Sequence, residues 1–77
     1  MQVNYTEDGS EQFVADNGRT LDIYGEQRCG EVFVDGEFFA YYERDTKHNI
    51  VLFAEDDTVL ATFDVEGWED YAATVLV

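Results

Sequence analysis

Thiol chemistry needs a nucleophile, a base and an orienting group, and the material for it here is one cysteine, Cys29, one histidine, His48, and a surplus of carboxylates. Cys29 stands in Arg28-Cys29-Gly30, where a small, buried or half-buried residue at the start of a strand is the expected role. His48 stands in the polar run Lys47-His48-Asn49 and reads as a solvated loop histidine. Paired carboxylates can act as acid and base in glycoside hydrolysis, but 18 acidic residues in 77 make neighbouring pairs inevitable and therefore uninformative. Glu7-Asp8 and Glu55-Asp56-Asp57 offer hard oxygen ligands, yet Asp16-Asn17-Gly18 lacks the later bidentate Glu of a calcium loop. No catalytic residue, metal site or cofactor is expected, and a chain of this length has little room for a substrate-sized pocket.

Charge carries the stronger message. The four basic residues, Arg19, Arg28, Arg44 and Lys47, leave a net charge of −14, so most carboxylates have no cationic partner. Direct binding of nucleic acid is excluded, because neutralising phosphates requires Lys and Arg. The opposite role is attractive: a carboxylate-dense surface can occupy the basic groove of a protein that otherwise holds DNA or RNA. Alternate residues on a strand stand about 6.6–6.8 Å apart, comparable with phosphates along one strand of nucleic acid.

The acids gather near turns rather than in a strict strand ladder. Two clusters are the candidate partner-binding patches, Glu55-Asp56-Asp57 and Glu66-Gly67-Trp68-Glu69-Asp70-Tyr71, the latter with aromatics able to stack on guanidinium planes. Trp68 has a competing role as a core anchor. Tyr41 and Tyr42 are added as candidates because Phe38 to Tyr42 is apolar on both faces, which suits a partner face or self-association into a homodimer.

The elements that must position these residues are legible from turns and periodicity. With six Phe, five Tyr and one Trp, the chain is too rich in large apolar groups to be a disordered acidic tail. Proline is absent, and Asn17-Gly18 and Asp35-Gly36 are two-residue hairpin signals of the kind that takes positive φ at both positions. Asp8-Gly9 is a weaker third. Lys47-His48-Asn49 and Glu55-Asp56-Asp57-Thr58 separate later apolar runs. The expected fold is a single domain over residues 1–77, mainly antiparallel β, with about six short strands in a hairpin meander. After Phe63, Asp64 can cap a short helix from Val65 to Ala73, with Val65, Trp68, Ala72 and Leu76 on one stripe and Glu66, Glu69 and Asp70 outside. Thr74 to Val77 is β-branched enough to compete as a last strand.

A lone cysteine and the lack of a charged start followed by an apolar run lead to the expectation of a cytoplasmic protein, within the host cytoplasm if phage-encoded. No apolar stretch approaches the roughly 20 residues of a membrane span. In composition, though not in residue pattern, the chain is similar to small acidic phage inhibitors that block CRISPR or restriction complexes by mimicking nucleic acid. That resemblance implies a non-catalytic inhibitor acting on the basic surface of a nucleic-acid-binding complex. The alternative is adaptation to high salt, in which screened carboxylates keep a small cytosolic β domain hydrated and its role is some other binding or accessory one. The aromatic excess favours a binding surface.

Overall fold

The turns determine the topology. In the computed structural model, which describes residues 1–5, 10–26 and 28–77, Asp35 and Gly36 have φ of 53° and 82°, and Val34 pairs directly with Glu37. This is the two-residue turn the sequence predicts. Asn17-Gly18 differs: only Gly18 takes positive φ, and the Ala15 and Arg19 backbones close a three-residue loop instead. The cause is the Asn17 side chain, whose oxygen accepts from the Arg19 N–H while its amide donates to the Leu76 carbonyl at 2.8 Å. Two further turns copy that loop, closed by Asp45 with Asn49 and by Ala54 with Thr58, and carry His48 and Asp57 in the left-handed position. In these two turns the backbone bonds come from the aspartates ahead of the left-handed residue: Asp45 accepts from the Lys47 and Asn49 N–H groups and Asp56 from that of Thr58. The Asp8-Gly9 turn lies outside the described residues.

Seven antiparallel strands result, one more than the expected count, in simple sequence order: β1 (Gln2–Tyr5), β2 (Glu11–Val14), β3 (Thr20–Gly25), β4 (Cys29–Val34), β5 (Glu37–Arg44), β6 (Asn49–Phe53) and β7 (Val59–Asp64). β4 begins three residues before the apolar run Val32-Phe33-Val34, because Gly30 pairs with Gly25 and Cys29 with Glu43. Bulges break the register between Val32 and Phe33 against β5 and between Leu52 and Phe53 against β7.

The C-terminal segment is helical, as expected, but in two parts. Asp64 accepts from the Glu66 N–H, a single 3₁₀ turn covers Val65–Gly67, and α1 runs Trp68–Val75. Thr74 and Val75 thus belong to the helix, not to a last strand. Trp68, Ala72 and Leu76 are buried on the predicted stripe against Phe13, Leu21, Ile23, Val32, Ala40, Tyr42, Ile50 and Leu52. Trp68 meets Tyr42 and Phe63 edge-on at centroid distances of 5.5 and 5.0 Å. No basic residue lies in the last turn of α1; Arg19 supplies the cation from the β2–β3 turn, donating to the main-chain oxygens of Val75 and Val77. Its Nε donates to Asp35 at 2.9 Å, so two hairpin tips and the helix end form one clamp.

Candidate functional site

One helix covers one face of the sheet, and strand parity determines what the other face presents. Registers place Asn4, Gln12, Asp22, Phe33 and Phe38 in one cross-strand row. A second row reads Tyr24, Glu31, Tyr41, Phe53 and Val59, and a third Cys29, Glu43, Val51 and Thr62. At about 4.8 Å between strands, the second row extends for roughly 19 Å. Its members fall on the side away from Ala40, Tyr42, Ile50 and Leu52, which face the helix.

The open face is aromatic at its centre. Tyr24 meets Phe33 edge-on at 5.4 Å, Phe33 meets Phe38 edge-on at 6.0 Å, and Phe38 lies 4.9 Å from Tyr41. Such pairs hold one another in place and keep ring faces available. Tyr24 and Tyr41 are each 44% exposed and Phe38 37%, which for three linked aromatics in a domain this small is a contiguous apolar patch. Glu31 lies directly between Tyr24 and Tyr41 in the register. It also borders two shallow concavities of about 510 and 470 Å³, the first lined further by Cys29, Tyr41, Glu43, Phe53 and Asp57, the second by Asp22, Tyr24, Phe33 and Gly36.

Cations are segregated from this face. Arg44 has the parity of Tyr42 and Ala40, Arg19 reaches round to the helix end, and Arg28 and Lys47 lie outside the strands. Glu31 and Glu43, both exposed, therefore share the open face with buried Asp22 and with no strand-borne cation, and none of the three forms an ion pair among the described residues. Flat rings beside unpaired carboxylates suit a guanidinium, which can stack on one and fork to the other.

The residues singled out from sequence fare unequally. Tyr41 is on the open face. Tyr42 is not: parity turns it to the helix, where it is buried and its hydroxyl donates to the Glu26 carbonyl at 2.7 Å. Burial, with Cys29 and Glu11 nearby, pushes its phenol pKa up. Trp68 is likewise a core residue at 9% exposure and offers no ring to a partner. Glu66, Glu69 and Asp70 are exposed on the outer side of the helix, away from the aromatic face.

Glu55, Asp56 and Asp57 form the β6–β7 turn, and two of them have local work. Asp56 accepts from the Thr58 N–H, and its pKa is lowered by hydrogen bonds from the Thr58 side chain and amide. Asp57 occupies the left-handed position and reaches the larger concavity. Glu55 is exposed at the tip. Of the aromatic segment proposed for self-association, Phe38 and Tyr41 remain exposed, whereas Ala40 and Tyr42 are in the core. Cys29 does begin a strand but is exposed rather than buried, and His48 is exposed in its turn.

The sequence reading missed Tyr24, Glu31, Phe33 and Glu43. Period-2 parity within β3 and β4 carried the signal, but only knowing which face the helix covers makes it readable. Among the described residues, no three of His, Cys, Asp and Glu converge in a metal-holding arrangement, and no helix is long and apolar enough to cross a membrane. Comparison with protein-family models, with curated proteins and with solved structures finds no match to this chain.

Proposed function

We propose that the chain is a non-catalytic binding domain that docks the open face of its sheet onto an arginine-rich protein surface, of the kind that otherwise holds nucleic acid. One observation carries this reading: the aromatic stripe of exposed Tyr24, Phe38 and Tyr41 with half-buried Phe33 shares its face with the exposed carboxylates Glu31 and Glu43 and with no strand-borne cation. A basic groove binds phosphates through Arg and Lys, and the same groups would be met here by carboxylates at the edges and ring faces at the centre. The net charge of −14 would steer the encounter and make it salt-dependent. In this picture the protein acts as an inhibitor by competing with nucleic acid for its partner, in the cytoplasm where such complexes work.

An octa-arginine peptide is a direct probe. Titrated into the ¹⁵N-labelled chain at 0.1 M salt, it is expected to shift amides of β3, β4 and β5 on the open face and to displace no helix resonance. Shifts centred on Glu66, Glu69 and Asp70 would move the site to the helix. Shifts spread evenly over all acids would remove the proposal and leave high-salt adaptation as the explanation of the charge.

A further inference from the structure

In a chain with 18 acidic residues and four basic ones, cations should find carboxylates easily. Arg19 does, at Asp35. Arg28, Arg44 and Lys47 do not: among the described residues no carboxylate lies within 4.0 Å of any of them. Arg28 and Arg44 gather instead at one corner of the sheet, and Lys47 belongs to the turn that follows β5. The Arg44 N–H donates to the Arg28 carbonyl at 2.7 Å, which fixes the two arginines side by side where β4 begins and β5 ends. Like charges brought together on paired strands repel, and neither guanidinium forms an ion pair among the described residues.

The corner is concave, with about 510 Å³ lined by Arg28, Arg44, Asp45, Thr46 and His48. The one carboxylate in that lining is already engaged. Asp45 accepts from the Lys47 and Asn49 backbone N–H groups and from the Asn49 side chain, and these bonds hold its pKa below the ordinary value, chiefly through the Asn49 N–H. Arg44 Nη2 lies 2.8 Å from His48 Nδ1. A guanidinium only donates, so Nδ1 is the acceptor and the imidazole carries its proton on Nε2. The concavity is thus furnished with donors: two guanidinium groups, an imidazole N–H and the Thr46 hydroxyl.

We infer that this corner binds a phosphate group, held between Arg28 and Arg44 with His48 and Thr46 as further donors. A carboxylate satisfies one guanidinium fork with its two oxygens, whereas a tetrahedral dianion can bridge both arginines and still accept from the imidazole and hydroxyl. Within that lining two cations, Arg28 and Arg44, stand against one carboxylate, Asp45, whose oxygens are taken by N–H groups of its own turn. Glu11 and Glu26, which line the adjoining depression with Arg44, limit the affinity without occupying the site. The phosphate can be inorganic or borne on a nucleotide; the site's chemistry is common to both. This inference does not depend on the docking face, which lies on the opposite side of the sheet from Arg44.

The test is a titration of the full ¹⁵N-labelled chain with sodium phosphate, with chloride and acetate at matched ionic strength as controls and adenosine monophosphate as the second source. Saturable shifts at Arg28, Arg44, Thr46 and His48 with phosphate alone are expected, with the nucleotide matching phosphate if the site reads only the oxyanion and exceeding it if the base adds contacts. Arg28→Gln, at an exposed position, should weaken phosphate binding about 3- to 10-fold while leaving the amide spectrum elsewhere unchanged. Linear shifts equal to those with chloride, saturation centred away from this corner, or unaltered affinity in Arg28→Gln would each overturn the assignment.

Discussion

The Tyr42 hydroxyl donates to the Glu26 carbonyl at 2.7 Å while the ring packs against Gly30. A Cβ on Gly30 would stand 2.2 Å from the Tyr24 carbonyl oxygen and 2.6 Å from Tyr42 Cε2, so only glycine admits both the backbone approach and the ring. Gly30→Ala should therefore cost about 2–3 kcal/mol by overpacking. Tyr42→Phe, which loses one bond to a carbonyl that water can reach, should cost about 1 kcal/mol or less. Urea denaturation distinguishes them; equal costs would mean that the backbone at Gly30 relaxes freely.

The single Trp68 is a reporter of the core. Its emission should be blue-shifted in the native state, move to the red on unfolding, and stay put when octa-arginine binds. A partner-induced shift or quenching by iodide in the folded protein would place the ring at the surface. Trp68→Ala should remove about 3–5 kcal/mol, enough to unfold a large fraction of a domain this small.

Binding should respond to the open face and not to the helix. Tyr41→Ala is expected to lower octa-arginine affinity about 5-fold, the worth of a cation–π contact near the surface, and Glu31→Gln about 2- to 5-fold, as for an exposed ion pair. Both positions are exposed, so the melting temperature should hold. The combined change Glu66→Gln, Glu69→Gln and Asp70→Gln should cost less than either. The reverse order, read by calorimetry, would relocate the docking surface.

Three turn aspartates predict how the hairpins respond to acid. Asp35 is lowered in pKa first by the Thr20 N–H and then by Arg19, Asp45 chiefly by the Asn49 N–H, and Asp56 by Thr58. A folded pKa below the unfolded one means that the stabilisation is present in full above the ordinary aspartate value and is lost as pH falls through the depressed one. The window is below about pH 4. Amides of Thr20, Asn49 and Thr58 should therefore shift with midpoints lower than that of aspartate in an unstructured peptide. Coincident midpoints would show that these bonds do not hold in solution.

Salt separates the two accounts of the acidity. Screening should raise the melting temperature as NaCl goes from 0.1 to 2 M, because unpaired carboxylates repel one another, yet the chain should already melt cooperatively at 0.1 M. Octa-arginine affinity should fall over the same range. A chain unfolded below about 1 M salt would favour high-salt adaptation over docking.

Local chemistry made much of this protein legible in its sequence. Asp35-Gly36 specified its turn, the runs between turns became strands, and Asp64 with Trp68, Ala72 and Leu76 marked the helix, because these signals act over about a dozen residues or fewer. Asn17 escaped that logic: its side chain is spent on the Leu76 carbonyl, 59 residues away, and the turn takes a third residue to allow it. The candidate site divides along the same line. Tyr41 and Tyr42 are adjacent and alike in sequence, yet one faces solvent and the other the core, and alternation alone assigns them to opposite sides without saying which side is covered. Only the packing of α1 on one face of the sheet settles that, turning Tyr42 and Trp68 inward and leaving Tyr24, Glu31 and Tyr41 as a row on the uncovered face.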